Sequence, residues 1–171
     1  MDIEERESIT SLVETYSDEL HSYLCRYTGD YAMAKDVLGD VFLKLVQMIR
    51  HKRKKDIKWR PWLYRVATNC AISRFRKQKV RSLFHLKEIS HRKEGPKTPH
   101  ELVEISREGK MVRNAILKLG KIHRSVLVMR VYQEMTYKEI ADSLEINVGT
   151  VKSRINEAKS RLKKQLEIGY E

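Results

Sequence analysis

A chain of 171 residues has room for one or two small domains and no more. Its 35 lysines and arginines against 23 acids give a formal charge of +12 and a pI near 9.7, a balance that calls for an anionic partner, most often nucleic acid. No apolar run reaches the roughly 18 residues of a membrane span, and no secretory leader is recognisable, so the expectation is a cytoplasmic protein, neither membrane-embedded nor exported.

The first element is a helix. From Ile9 to Tyr27 the apolar residues Ile9, Leu12, Val13, Tyr16, Leu20, Tyr23, Leu24 and Tyr27 form a stripe of helical period. Thr28-Gly29-Asp30 breaks it, with Asp30 placed to cap the next helix. Residues 31–49 repeat the pattern through Ala34, Val37, Leu38, Val41, Phe42, Leu45, Met48 and Ile49. A polar run, Arg50 to Lys55, ends that helix. Pro61 then opens another at its favoured first-turn position, running to about Lys79 with Leu63, Val66, Ala67 and Cys70 inward. Cys25 and Cys70 both lie among apolar helical positions without a CxxC pair. They predict buried free thiols, and neither a disulfide framework, a zinc site nor any other cofactor.

Residues 82–106 differ in kind. Polar and charged residues mix with Gly95, Pro96 and Pro99, and the prolines forbid a continuous helix. This predicts a flexible linker, with a short helical piece near Leu83–Ile89, between domains at 1–81 and 107–171. Helical periodicity resumes at Met111, Val112, Ala115, Ile116 and Leu119 and continues through Ile122, Val126, Leu127 and Val131. No strand-like alternation is convincing, so the fold class is all-α.

Residues 136–166 read as a helix, a tight turn and a longer basic helix. Thr136 can cap the first, with Glu139 at the spacing of a capping box. Ile140, Ala141 and Leu144 share one face. Asn147 can cap the second helix, whose Val151, Ile155, Ala158 and Leu162 recur at helical spacing. Small Ala141 allows a close approach and Val151 locks the crossing, the geometry of a helix-turn-helix whose second helix enters the major groove of DNA. Lys152, Ser153, Asn156, Glu157 and Ser160 face outward with side chains suited to bases and phosphates. Glu145 stands where this turn favours Gly, which predicts a left-handed, slightly strained residue.

The helix after Pro61 is chemically richer than a core helix needs. Trp62, Tyr64, Arg65, Asn69, Ser73, Arg74 and Arg76 offer rings, an amide and guanidinium groups, and Arg74, Arg76, Lys77, Lys79 and Arg81 crowd its end. Rings that stack on unpaired bases and cations that follow phosphates would hold melted DNA. On the residues alone, core aromatics and a solvated basic face are the simpler reading.

Three segments carry a resemblance that covers almost the whole chain. Asp36–Lys44 (DVLGDVFLK) is similar to an acidic-aliphatic DLVQETFL-type helix, and Trp62–Asn69 (WLYRVATN) to a WLYRIAxN-type segment. Tyr137–Ala141 and Val148–Arg154 are similar to a matching helix-turn-helix. In this order they resemble the bacterial RNA polymerase sigma factors of the extracytoplasmic-function (ECF) group, which keep only the second and fourth sigma regions. The resemblance implies a promoter-specificity subunit without a catalytic site or small-molecule substrate. Its partners would be core RNA polymerase (β′ clamp helices and β flap), promoter DNA and an anti-sigma protein. By position, Asp36, Asp40, Val41, Phe42 and Lys44 would dock on polymerase. Trp62, Tyr64, Arg65, Asn69, Arg74 and Arg76, with the loop Lys52–Trp59, would take the −10 element as it melts. Thr150, Lys152, Ser153, Arg154, Asn156 and Glu157 would meet the −35 duplex, Glu157 being able to accept from cytosine N4.

Gly39, where the resembled family has Gln, and the Asn156-Glu157 pair depart from the pattern, as does the strongly cationic loop 50–58. The residues also leave two other classes open. An autonomous helix-turn-helix regulator would bind a palindrome as a dimer. A nucleic-acid enzyme would need clustered carboxylates or His/Cys ligands, which the scattered histidines do not supply.

Overall fold

The computed structural model describes residues 3–51, 57–84 and 106–168. Among the described residues run seven α-helices and no strand: α1 (Ile3–Thr28), α2 (Tyr31–Arg50), α3 (Trp59–Phe84), α4 (Arg107–Lys118), α5 (Lys121–Val131), α6 (Tyr137–Leu144) and α7 (Val148–Ile168). The loop residues 52–56, nearly all of the 82–106 segment and most of the short helix expected near Leu83–Ile89 lie outside the described residues.

The first three helices follow the sequence signals closely. Leu20, Tyr23, Leu24 and Tyr27 are buried along α1, as are Ala34, Val37, Val41, Leu45 and Ile49 along α2. Asp30 caps α2, its carboxylate accepting the Met33 N–H at 2.9 Å. Gly29 makes the turn at φ 71°, which costs glycine alone nothing. α3 begins at Trp59, so Pro61 sits in the first turn, where its missing N–H goes unmissed. The Tyr23 hydroxyl and Thr68 Oγ1 share a hydrogen bond of 2.8 Å, and Tyr23 packs edge-on against Tyr64, fixing α1 on α3.

The apolar stripe from Met111 to Val131 reads as one helix, but the chain breaks it at Leu119-Gly120. Leu119 is extended and buried, and Gly120 starts α5 without a side-chain cap. The break is stabilised by Arg124, one turn into α5. Its Nη2 donates to the carbonyls of Leu117 and Leu119, and its Nη1 reaches the Tyr27 carbonyl at 2.8 Å. One buried guanidinium thus caps the C-terminal ends of two helices, α4 and α1, where a cation is favoured by the helix dipole. The spacing of apolar residues carries no trace of this.

Those contacts also join the two blocks. Helices α1–α3 and α4–α7 share a single apolar cluster that includes Tyr27 and Tyr64 from the first block and Leu127, Met135 and Ile140 from the second. The Arg113 guanidinium donates to the Gly29 carbonyl at 3.3 Å, and a Cβ on Gly29 would lie 2.6 Å from a Leu117 methyl. Cys70 is buried as expected. Cys25 is only half-buried, with its Sγ 3.6 Å from His21 Nε2, because α1 turns that edge outward.

Gly39 lies mid-helix on the outer face of α2, where an added Cβ would meet nothing within 4 Å. Its backbone is not left-handed. Gly39→Ala is therefore expected to stabilise the protein by up to about 1 kcal/mol, read as a raised urea midpoint with an unchanged slope.

Candidate nucleic-acid interface

The helix-turn-helix forms as its caps predict. Thr136 Oγ1 accepts the Glu139 N–H while the Glu139 carboxylate accepts the Thr136 N–H at 2.8 Å, closing the capping box. Glu145 takes the left-handed conformation at φ 53°. Asn147 Oδ1 accepts the Thr150 N–H at 2.7 Å and starts α7. Val151, Ile155 and Ala158 are buried against α5 and α6, which leaves Lys152, Ser153 and Asn156 exposed on the opposite face. Thr150 and Arg154 are half-buried beside them. Val148, 38% exposed at the helix start, adds an apolar contact suited to a thymine methyl, which spacing alone did not single out.

Glu157 differs from the expectation. Its Oε2 pairs with His123 Nε2 at 2.9 Å and its Oε1 with Arg161 Nε at 3.1 Å. His123, then Arg161, hold its carboxyl below the ordinary glutamate range. Both oxygens are engaged within the block, so reading a cytosine would require giving up one of these partners.

The outer arc of α2 and the end of α3 make a second polar face. Arg74 donates through Nη2 to Asp40 Oδ2 at 2.7 Å and through Nη1 to Asp36 Oδ2 at 3.5 Å. Residues expected to serve different partners, the two aspartates and Arg74, therefore form one ionic cluster. Val41 is a correction: it is fully buried, because it continues the inward stripe of Val37 and Leu45, and it cannot touch a partner. Phe42 is half-buried against the core and Lys44 is exposed. Leu43, 64% exposed on the same arc, was missed. Its signal in the sequence is a lone Leu among the polar positions Asp36, Asp40 and Gln47.

Along α3, Asn69 and Arg76 are exposed, and Trp62 is half-buried with its ring edge-on to Trp59 at a centroid distance of 5.9 Å. Tyr64 is the second correction. It is fully buried, and its hydroxyl donates to Gln133 Oε1 at 3.1 Å, because it faces α1 and the loop before α6. Tyr64 belongs to the core, as the simpler sequence reading had it.

A cross-block cluster with no counterpart in the sequence reading surrounds the first turns of α3. Arg60 donates to Glu19 at 3.2 Å, to Glu139 at 3.0 Å and to the Gln133 carbonyl at 2.9 Å. Lys58 pairs with Asp142 at 2.8 Å, and Arg65 pairs with Glu145. Burial pushes the Glu139 carboxyl up, but the Thr136 N–H and hydroxyl and the Arg60 guanidinium outweigh it and hold it below its ordinary range. Its contribution to stability is therefore present above the unfolded glutamate pKa and is lost as pH falls through the lower folded value. Both tryptophans of the chain, Trp59 and Trp62, flank Arg60. Their emission is expected to change as pH falls below the ordinary glutamate range, with a smaller change in Glu139→Gln.

Among the described residues no helix is long and apolar enough to cross a membrane, and no group of three His, Cys, Asp or Glu side chains converges as for a metal ion.

Comparison with known proteins gives a consistent result. Residues 12–81 match the sigma-70 region 2 family model and residues 109–162 the sigma-70 region 4 model. The ECF RNA polymerase sigma factor SigW of Bacillus subtilis (strain 168) is 30% identical over 95% of this chain and 90% of its own length. The RNA polymerase sigma factor YlaC of the same organism is 32% identical over 94% and 93%. Among solved structures, the sigma factor RpoE in complex with the anti-sigma factor NepR from Bartonella quintana aligns with a TM-score of 0.72 at 16% identity, covering 95% of this chain and 98% of that one. CnrH in complex with the cytosolic domain of CnrY aligns with a TM-score of 0.69 at 20% identity, covering 95% and 90%. At these identities the structural matches speak for the fold alone.

Proposed function

The chain belongs to the ECF sigma factors of the sigma-70 family, and from that premise we propose how its surfaces divide the work of promoter recognition. Residues 1–81 bind core polymerase and the −10 element, and residues 107–171 bind the −35 duplex. The observation that carries this division is the outer face of α7, where Lys152, Ser153 and Asn156 stand exposed at the start of a helix whose N-terminus Asn147 caps. Thr150 and Arg154 flank them and hold backbone phosphates, which position the helix without reading sequence.

In the other block, Asn69 and Arg76 are open to solvent and Trp62 is partly so. Trp62 and Asn69 capture an unpaired base of the non-template strand while the cations follow its phosphates. Melting is then driven by binding energy and requires no catalytic group of this chain. The α2 arc of Asp36, Asp40, Leu43 and Lys44 docks on polymerase, with Arg74 holding the two aspartates in place. The protein works in the cytoplasm. An anti-sigma protein, the kind of partner bound to RpoE in its solved complex, controls it by covering the α2 arc.

The test is size-exclusion chromatography of the full chain with purified core polymerase and duplex DNA. A one-to-one complex with polymerase, and specific duplex binding only in its presence, is the expected result. A stable dimer that binds duplex tightly without polymerase would instead identify an autonomous regulator.

A further inference from the structure

α6, the first helix of the helix-turn-helix, carries an acid every third residue: Glu139, Asp142 and, at its C-cap, Glu145. Each is paired with a different cation of the α3 start: Arg60 with Glu139 at 3.0 Å, Lys58 with Asp142 at 2.8 Å, and Arg65 with Glu145. The partners are 79, 84 and 80 residues apart in sequence, so this is a contact between the two blocks and not a feature of either. The spacing of the acids along one helix edge presents a row of negative charge to a row of positive charge, as a nucleic-acid backbone would.

We infer that this acidic edge of α6 is an internal stand-in for promoter phosphates. In the free protein it occupies Lys58, Arg60 and Arg65, the cations beside the strand-capturing residues, and competes there with a DNA strand. The inference rests on the reading of α3 as the −10 surface, but it makes a separate claim about the free chain. The ion pairs are partly exposed and individually weak. Their effect comes from being intramolecular, where the tethered acids act at high effective concentration. A DNA strand with a continuous run of phosphates, positioned by polymerase, displaces them. Salt weakens these pairs, as it does other ion pairs open to solvent.

The experiment uses the full chain and a fluorescein-labelled single-stranded (dT)15 probe, an anionic strand without promoter sequence, read by anisotropy at low salt. Glu139 is left unchanged because it closes the α6 capping box. Asp142→Asn with Glu145→Gln is expected to tighten probe binding roughly fivefold, the loss of two weak pairs. Glu14→Gln with Asp18→Asn, an equal change of charge on the exposed face of α1, is the control and is expected to shift binding less than twofold. Equal shifts in the two variants would mean that only net charge matters, and would overturn the inference. Lysine reactivity supplies a readout free of DNA. Lys58, paired with Asp142, should be acetylated about twofold faster in Asp142→Asn than in the unmodified protein, read by peptide mass spectrometry. An unchanged rate would also overturn the inference. Neither readout requires transcription, so failure here leaves the sigma-factor assignment standing, and failure of that assignment in transcription leaves these results intact.

Discussion

Arg124→Ala is expected to cost about 3 kcal/mol of folding stability, read from urea unfolding followed by far-UV circular dichroism. The guanidinium is buried and donates only to carbonyls, those of Tyr27, Leu117 and Leu119. Truncation leaves acceptors at two helix ends without a donor, each costing about 1–3 kcal/mol less whatever water can recover on entering the space. Arg124→Lys should recover less than half of the loss, since a single ammonium cannot span carbonyls that a planar fork reaches from two sides. Because one of the acceptors belongs to α1, the variant should also loosen the joint between the blocks. A loss below about 0.5 kcal/mol, the range of an ordinary surface change, would contradict this role.

The second large effect is expected at Leu43. Leu43→Asp should weaken association with core polymerase about thirtyfold while changing stability by less than about 0.5 kcal/mol. Its exposure of 64% means the fold gains little from the side chain, which leaves it free to meet a partner on the docking arc proposed above. The flanking Asp36 and Asp40 are held by Arg74 in an orientation that a basic surface could meet. Binding measured by fluorescence anisotropy of labelled protein against core polymerase separates the two quantities. Lost stability with unchanged binding would place Leu43 in the fold and not at the interface.

What could be read in the sequence depended on the range of the interaction. The helix-turn-helix was legible in detail because caps, period and turn are set within a few residues. Thr136, Glu139, Glu145 and Asn147 all behave as their local chemistry dictates. The break at Leu119-Gly120 was not legible, since Ile122 and Val126 continue the apolar stripe across it. What stabilises it is Arg124, and a basic residue on a helix ordinarily reads as solvated.

The candidate site divides in the same way. The outer face of α7 followed from which positions are inward. Trp62 and Tyr64 lie two positions apart on one helix, and only packing against α1 and Gln133 sends Tyr64 inside. Val41 was drawn into the docking set by its place in a motif, although its own period marks it as core. The pairing of the α3 cations with the α6 acids links residues some eighty positions apart, and no local pattern announces it.

In the function proposed, this protein directs polymerase to promoters through α3 and α7. Run-off transcription with purified core polymerase, this protein and fragmented genomic DNA of its host tests that most directly. Discrete new transcripts are expected, lost when Trp62 and Asn69 are both replaced by Ala and strongly reduced by Asn69→Ala alone, whose exposed side chain leaves the fold intact. Absence of transcripts, together with tight duplex binding by the isolated protein as a dimer, would contradict it.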